Sequence, residues 1–210
     1  MLDLRLYLVT DSSLCGARSL EEIVEAAVKG GCTMVQLREK QLPTGAFIAR
    51  ARILKKVLQP YHVPLIINDR VDVALAAHAD GVHLGQSDMS PIDARQLLGP
   101  DAIIGLSIEH IDQVASANTL PVDYVAVSPI FATTTKSDIS TPLGLNGGST
   151  VVERSVKPVI GIGGINHNTA AQAMQCGLKG VAVVSDIMAA DNPEQAAREL
   201  REIIRPYENI

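Results

Sequence analysis

The chain has 210 residues, of which 47% are hydrophobic and 20% charged, and its formal net charge is −5. This length suits one large domain or two small ones, and the apolar share is sufficient for a globular core. Only 3% of the residues are aromatic and the net charge is negative, so the composition argues against a nucleic-acid-binding surface.

The start of the sequence and its cysteines bear on location. No run approaches the ~20 apolar residues that a membrane helix needs, so we expect no membrane partner. The opening MLDLRLYLVTDSS is too short and too acidic for a secretory signal. The three cysteines Cys15, Cys32 and Cys176 are odd in number and lack metal spacing, which predicts reduced thiols in a cytoplasmic protein.

Short β-branched runs alternate with segments of helical period. The runs that predict strands are RLYLVT, MVQLRE, PLIIND, GVHLGQ, IIGLSI, YVAVSP, PVIGIGG and GVAVVS. Between them lie helix-period segments such as SLEEIVEAAVKGG, TGAFIARARILKKVLQ, NTAAQAMQCG and NPEQAARELREIIRPY. The segment around GGSTVVERS predicts only a short and weakly patterned sixth helix.

The pattern of these runs predicts the fold class, which is α/β. The strand runs are apolar throughout, as is typical of strands buried on both faces of a parallel sheet. Eight strand–helix units of about 25 residues each predict a closed (β/α)8 barrel, the TIM-barrel fold. An open doubly wound sheet is the alternative. No linker or charge block divides the sequence, so we expect one domain over residues 1–210.

Polar side chains collect at one end of the predicted strands. In a TIM barrel the residues after each strand line the catalytic face, whereas those before each strand serve stability. The residues after the strands include Gln36, Arg38, Lys40, Asn68, Asp69, Asp88, Ser107, the run from Thr133 to Lys136, and Ser185 with Asp186. The opposite loops are short turns of small residues. The sequence therefore predicts a polar site at one mouth of the barrel.

The sequence after the last two predicted strands indicates a phosphate-binding site. The loops after strands seven and eight of such barrels often bind phosphate through backbone N–H groups. Gly163 and Gly164 of GIGGIN permit close approach of an oxyanion, and Ser185 adds a hydroxyl. A tight turn without a ligand is the alternative for the glycines alone.

Two aspartates predict a metal site. Asp69 and Asp88 end neighbouring strands, which lie about 4.8 Å apart in a sheet, so both carboxylates can reach one cation. Mg²⁺ takes one or two carboxylates and completes its octahedron with water and phosphate oxygens. Helix capping is the alternative for each aspartate. Asp72 and Asp80 are expected to serve a helix start and stability, respectively.

Basic residues face this site in the prediction. Alternation places Gln36, Arg38 and Lys40 on one side of the extended chain, where they would present a cationic wall to a diphosphate. The TTTK run can supply donors to a loop that closes over an anion. A solvated rim and a polar surface loop are the alternatives. His83 is expected to be a packed core imidazole, and no histidine triad, Walker loop or zinc set is evident.

Taken together, the motifs resemble a known family. YLVTD, QLREK, IINDR, ADGVHLGQSD, GLS, SPIFATTTKSD, GIGGIN and VAVVS are similar to those of the thiamine phosphate synthases, in the same order, from Leu6 to about Arg205. The resemblance implies a transferase of thiamine biosynthesis. It would join 4-amino-2-methyl-5-(diphosphooxymethyl)pyrimidine to 4-methyl-5-(2-phosphooxyethyl)thiazole by a Mg²⁺-dependent dissociative substitution that gives thiamine phosphate and pyrophosphate.

The resemblance also implies roles for the candidate residues. The pyrimidine diphosphate would be bound by Gln36, Arg38, Lys40, Asn68, Ser107 and Lys136, and the Mg²⁺ by Asp69 and Asp88. The thiazole phosphate would be bound by Thr133, Thr135, Gly164, Val184 and Ser185. Lys40, Lys136 and Ser107 are the implied catalytic residues. The partners would be these small molecules, with neither nucleic acid nor membrane, and a homodimer is the expected assembly if the chain associates.

Other functions fit parts of the pattern. A thiazole tautomerase-like relative would use a histidine at the end of strand five, where this chain has Ser107. A phosphosugar isomerase or epimerase needs a general base, which the sequence does not identify. A non-catalytic barrel that binds a phosphate ligand would need no pair of metal-binding carboxylates.

Overall fold

The computed structural model describes residues 2–133 and 141–208. Its strands pair in parallel and close into a barrel in the order β1 to β8. The strands are β1 (Leu6–Val9), β2 (Met34–Leu37), β3 (Leu65–Asn68), β4 (Gly81–Leu84), β5 (Ile103–Ile108), β6 (Tyr124–Val127), β7 (Val159–Gly161) and β8 (Gly180–Val183). The predicted TIM barrel is confirmed, and the open doubly wound sheet is ruled out.

Helices follow the strands around the outside of the barrel. They are α1 (Leu20–Lys29), α2 (Thr44–Leu58), α3 (Val71–Ala77), α4 (Pro91–Leu98), α5 (Gln113–Ala117), α6 (Gly144–Arg154), α7 (Ala170–Met174), α8 (Ser185–Met188) and α9 (Pro193–Ile204). Over the residues described, none of them has both the length and the apolar character that crossing a bilayer requires. Cys15, Cys32 and Cys176 are buried free thiols.

The strands divide the core into two layers. Because successive side chains of a strand point to opposite faces, one set fills the barrel and the other packs against the helices. Tyr7, Met34, Ile66 and Tyr124 belong to the inner layer, whereas Leu8, with the other set, packs in the outer layer. The inner layer ends beneath the mouth formed by the carboxyl ends of the strands, which is where the candidate site lies.

Helix α1 shows how the sequence determines where a helix begins and ends. The Ser19 side chain accepts from the backbone N–H of Glu22 and the Glu22 side chain accepts from that of Ser19, so a capping box starts the helix. Gly30 ends it, where a Cβ would lie 2.2 Å from the carbonyl oxygen of Glu194. The glycine therefore allows α1 to approach α9 closely.

Helix α6 is longer than the sequence predicted. It spans the 11 residues Gly144–Arg154 instead of a short segment. Its glycines lower the intrinsic helix propensity, but Gly147 and Gly148 are buried, and a Cβ on Gly148 would be 3.4 Å from Cys176 Sγ. Close packing of this glycine face therefore stabilises a helix that propensity alone disfavours.

The amino ends of the strands serve stability, as expected. Asp80 Oδ2 accepts from the backbone N–H of Leu65 at 2.9 Å, and Lys55 Nζ lies 3.2 Å from its other oxygen. Asp72 lies in the first turn of α3 and pairs with Arg70. Asp72 and Asp80 are both absent from the lining of the cavity at the carboxyl ends of the strands, in agreement with the roles predicted for them.

Candidate active site

A cavity of about 210 Å³ opens at the carboxyl ends of the strands. The predicted residues that line it are Gln36, Arg38, Lys40, Asn68, Asp69, Asp88 and Ser107. Residues of the lining that were not predicted include Tyr7, His83, Ser87, Glu109 and Ser128. The structure thus brings together the polar residues that follow β2, β3, β4 and β5.

The acidic residues of the cavity lie beside a lysine. Lys40 Nζ is 2.6 Å from Asp69 Oδ2, and Asp69 takes a positive φ of 63° directly after β3. Asp88 Oδ2 accepts from the backbone N–H of Gly85 at 2.7 Å. Burial and the adjacent Asp69 carboxyl raise the pKa of Asp88, against the opposing effects of the Gly85 N–H and Lys40. The two carboxylates are therefore close enough to repel each other.

Arg38 presents a donor that has no acceptor in the described part of the chain. Its Nε is buried and makes no hydrogen bond there, and its side chain is 16% exposed. Its Nη1 lies 3.6 Å from Asp11 Oδ2. A buried donor without a partner costs free energy, so an acceptor oxygen of a bound anion would be favourable at this point.

Hydrogen bonds between side chains cross the floor of the cavity. Gln36 Nε2 donates to the Tyr7 hydroxyl at 2.8 Å, and the Tyr124 hydroxyl donates to Tyr7 at 3.1 Å. His83 Nδ1 lies 2.9 Å from the Tyr124 hydroxyl and His83 Nε2 lies 3.0 Å from Ser107 Oγ. We call these five residues the floor chain. It connects β2, β1, β6, β4 and β5.

Both ring nitrogens of His83 lie within hydrogen-bond distance of a hydroxyl group, Nδ1 of Tyr124 and Nε2 of Ser107, and the direction of each bond depends on the tautomer. Burial raises the pKa of both Tyr7 and Tyr124, so the phenols stay neutral. Gly105 makes room for the chain, because a Cβ there would lie 2.2 Å from Tyr124 Cζ.

The floor chain was not predicted from the sequence. His83 was expected to be a packed core imidazole, and it is indeed buried, but it also lines the cavity and contacts Ser107. Tyr7 and Tyr124 occur inside apolar strand runs, where they look like core residues. The available signal was strand alternation, which places Tyr7 and Tyr124 on the same inner face as Gln36 and Ser107.

The glycine turn after β7 contacts the loop after β6. Gly163 and Gly164 have φ values of 94° and 65°, which favour glycine. The backbone N–H of Phe131 donates to the carbonyl of Gly163 at 3.0 Å, and a Cβ on Gly164 would lie 2.7 Å from the carbonyl oxygen of Ala132. Packing between the two loops therefore requires these glycines, so the unliganded-turn alternative stays open.

The start of α8 is tied to the same β7 loop. Asp186 accepts from the backbone N–H of His167 at 2.8 Å, and its carboxylate lies 3.1 Å from His167 Nδ1. Ser185, the first residue of α8, lines a separate depression of about 370 Å³ together with these two residues. Of the residues predicted to bind phosphate, Ser185 therefore lies in this depression and not in the lining of the 210 Å³ cavity.

Several predicted residues are not part of the lining. Over residues 2–133 and 141–208, the cavity is not lined by Thr133, Gly164, Val184 or Ser185. Thr135 and Lys136 lie outside the described residues, as does Thr134. The same described ranges contain no group of three or more His, Cys, Asp or Glu side chains that could bind a metal.

The fold and the site define a class. A TIM barrel with cations, paired carboxylates and glycine turns at the carboxyl ends of its strands is typical of enzymes that act on phosphate-bearing small molecules. A family model described as thiamine monophosphate synthase matches residues 6–187. The chain therefore belongs to the thiamine monophosphate synthase family, and it is a transferase of thiamine biosynthesis.

Individual relatives agree with this assignment. The thiamine-phosphate synthase of Albidiferax ferrireducens is 53% identical over 201 residues, which cover 96% of this chain and 92% of that protein. The Xanthobacter autotrophicus thiamine-phosphate synthase is 50% identical over 95% of this chain and 94% of its own length. The solved thiamine phosphate pyrophosphorylase from Pyrococcus furiosus is 34% identical, covers 98% of both chains and has a TM-score of 0.89.

Proposed function

We propose that this barrel joins 4-amino-2-methyl-5-(diphosphooxymethyl)pyrimidine to 4-methyl-5-(2-phosphooxyethyl)thiazole, with release of pyrophosphate. The observation that carries the proposal is the meeting of Arg38, Lys40, Asp69 and Asp88 in one cavity. This set combines cationic donors with two carboxylates, which suits a diphosphate leaving group and a divalent cation. The similarity to thiamine-phosphate synthases supports the same reaction.

The cationic side chains would stabilise the leaving group. In a dissociative substitution the bond from the pyrimidine CH₂ to the diphosphate breaks first, and negative charge grows on the departing oxygens. The thiazole ring nitrogen then forms the new bond to the CH₂. Arg38 Nε is buried without an acceptor among the described residues, and Lys40 lies at the rim with its side chain 54% exposed. Both side chains line the cavity where we propose that the diphosphate binds, and cationic donors there would stabilise the charge that develops on it.

The donor set fits a magnesium ion. Asp69 and Asp88 are adjacent carboxylates whose mutual repulsion helps to raise the pKa of Asp88. A shared divalent cation would relieve that repulsion, and the remaining coordination positions suit water and diphosphate oxygens. When bound, Mg²⁺ would supply charge stabilisation to the leaving pyrophosphate.

The floor chain would orient the pyrimidine. Gln36, Asn68 and Ser107 line the cavity and offer donors and acceptors to the edge of a flat heteroaromatic ring. The Ser107 side chain is restrained by His83, whose Nε2 lies 3.0 Å from Ser107 Oγ. Orientation of two reactants can supply ~7–11 kcal/mol of a barrier at most, and no covalent protein nucleophile is then needed.

The thiazole phosphate would bind beside this cavity. We assign its phosphate to the backbone of Gly164 and to Val184 and Ser185, with Thr133 and Thr135 as further donors. The tie between His167 and Asp186 keeps the β7 loop and the start of α8 together, which supports one shared phosphate site. Lys136 is proposed to contact the pyrophosphate.

The test is direct product formation. Purified protein is incubated with both substrates and millimolar Mg²⁺, and thiamine phosphate and pyrophosphate are measured. We expect both products in equal amounts, and their loss after chelation or in Asp88→Ala. Isomerisation of the thiazole phosphate without pyrophosphate release would instead favour the tautomerase-like alternative, and binding without turnover would favour the ligand-binding barrel. A cytoplasmic location, a homodimer and a single domain over residues 1–210 stay predictions.

A further inference from the structure

The loop after β1 contacts the loop after β2 through three consecutive residues, Thr10 to Ser12. Thr10 is fully buried, its N–H donates to the carbonyl of Gln36 at 2.9 Å, and its hydroxyl accepts from the N–H of Arg38 at 3.1 Å. Asp11 Oδ2 lies 3.6 Å from Arg38 Nη1. The β1 loop therefore contacts both the backbone and the guanidinium of Arg38.

The third residue of this loop belongs to a polar cluster around Glu39. Arg50 Nη1 of helix α2 lies 2.6 Å from Glu39 Oε1 and 3.1 Å from Ser12 Oγ. The Ser12 hydroxyl also donates to Glu39 Oε1. The Glu39 side chain is only 8% exposed. Glu39 does not line the 210 Å³ cavity, whereas its neighbours Arg38 and Lys40 do.

Arg38, Glu39 and Lys40 lie in the segment between β2 and α2. Residues 38–43 follow β2 and precede α2 without regular secondary structure. Lys40 is 54% exposed, and its Nζ lies 2.6 Å from Asp69 Oδ2. The direction of Lys40 and of the Arg38 guanidinium therefore depends on how the backbone between them is fixed, and the Glu39 side chain is the group that anchors that backbone to α2.

The energetics of the cluster point away from a purely stabilising role. A carboxylate loses hydration when it is buried, and an ion pair with restricted exposure is often no more stable than apolar residues of the same shape. Such a pair does supply a fixed geometry. Glu39 Oε1 accepts a charge-assisted hydrogen bond from Arg50 of α2 and a second hydrogen bond from the Ser12 hydroxyl of the β1 loop.

We propose that Glu39 and Arg50, with Ser12, are positioning residues that set Arg38 and Lys40 for the diphosphate. Glu39 acts through the backbone on both sides of it, and Arg50 acts through Glu39. The inference rests on the proposed function, because it takes the diphosphate to be the group that Arg38 and Lys40 bind. Small displacements of such groups are costly, since about 1 Å of misplacement can reduce a rate about 100-fold.

The test compares Arg50→Met and Arg50→Lys with the wild type. Dissociation constants for inorganic pyrophosphate are measured by calorimetry at fixed Mg²⁺, and KM values are measured for each substrate. We expect Arg50→Met to weaken pyrophosphate binding and raise the diphosphate KM by about 10-fold, with the thiazole phosphate KM unchanged. Arg50→Lys, which keeps one charged donor to Glu39, should recover much of the loss.

The matched control is Arg198→Met. Arg198 Nη2 also lies 2.6 Å from a glutamate, Glu194, but this pair is on the exposed side of α9. Its loss should leave the pyrophosphate dissociation constant and both KM values unchanged. If Arg50→Met does not fold, Ser12→Ala removes one of the two bonds to Glu39 and should weaken pyrophosphate binding about 2- to 5-fold, as expected for loss of about one hydrogen bond.

The outcomes separate the two proposals. If the wild type neither binds pyrophosphate nor turns over, the proposed function fails. If the wild type binds pyrophosphate and Arg50→Met or Ser12→Ala binds it equally well, the positioning role is wrong while the function stands. An equal rise in both KM values would also overturn the inference, because it would indicate general loosening of the barrel mouth.

Discussion

Lys40 Nζ lies 2.6 Å from Asp69 Oδ2, so an ammonium occupies a carboxylate oxygen that a divalent cation would also use. Asp88 is close to Asp69, and the repulsion between the two carboxyls contributes to the raised pKa of Asp88. The Lys40 ammonium and a divalent cation would therefore compete for the carboxylate oxygens. Binding of a cation between the carboxylates would release the lysine toward an anionic substrate.

Lys40→Met should separate metal binding from turnover. Loss of a preorganised cation at a charge-developing site typically costs about 100- to 1,000-fold in rate, so we expect kcat to fall by about that factor. Binding of Mg²⁺ should persist or tighten, because Asp69 loses a competing ammonium. Steady-state pyrophosphate release measures the first effect, and a thermal shift with Mg²⁺ measures the second. Lys56→Met, at an exposed lysine of α2, is the control. Unchanged kcat in Lys40→Met would contradict the assigned role.

Asp88→Asn should abolish the thermal stabilisation by Mg²⁺ without lowering the stability of the metal-free protein. Burial and Asp69 raise the pKa of Asp88, so the folded chain binds this proton more tightly than the unfolded chain does. The charged Asp88 carboxylate therefore lowers the free energy of unfolding. This effect is absent at pH values below the pKa of the unfolded state and complete at pH values above the pKa of the folded state. Melting curves of both proteins between about pH 4 and about pH 7 measure the difference, which should grow with pH in favour of the variant. A metal-free Asp88→Asn protein that melts well below the wild type at neutral pH would disprove this.

Tyr124→Phe should destabilise the protein although it conserves volume. The change leaves His83 Nδ1 and the Tyr7 hydroxyl each without one partner in the floor chain. A buried polar group that loses its partner costs about 1–3 kcal/mol. Denaturant unfolding measures the loss. Tyr61→Phe is the matched control, because the Tyr61 hydroxyl donates to Glu25 at the surface, and it should cost less. Equal costs for the two variants would show that the floor chain contributes nothing.

Asp186→Ala should weaken the thiazole phosphate site selectively. The variant loses the acceptor of the His167 N–H, which joins the β7 loop to the start of α8. We expect the thiazole phosphate KM to rise about 10-fold, as befits a lost charge-assisted hydrogen bond, while the diphosphate KM stays the same. Asp186→Asn keeps an acceptor for that N–H, so its thiazole phosphate KM should lie between those of the wild type and Asp186→Ala. A rise confined to the diphosphate KM would be the opposite of this expectation.

Much of the fold followed from the sequence because its signals are repetitive. Each apolar run between helix-period segments repeats the same evidence for a strand with two buried faces, so an error in one unit does not change the architecture. The meeting of Gln36, Asn68 and Asp88 in one cavity lining followed from topology alone. Closure of a parallel barrel brings the carboxyl ends of all its strands to one mouth, and polar residues at those ends must then meet.

The parts that were missed depend on tertiary context. A tyrosine within an apolar run looks the same whether its hydroxyl is hydrogen-bonded across the barrel or reaches solvent, so Tyr7 and Tyr124 carried no distinct signal. Helix α6 was underestimated because the advantage of Gly148 lies in its close approach to Cys176, a residue distant in sequence. Glu39 was passed over for the same reason, since its partners Ser12 and Arg50 become neighbours only after folding.

The floor chain has a consequence for how this protein can diverge. The residue type at each of its positions is constrained by the hydrogen bonds that it donates and accepts, not by its size. Each of these bonds joins two different strands. Replacement of one member alone therefore leaves a buried donor or acceptor without a partner, and an apolar neighbour cannot supply one. We expect drift at these positions to occur as paired replacements on separate strands, whereas the layer under the helices can exchange one aliphatic side chain for another independently.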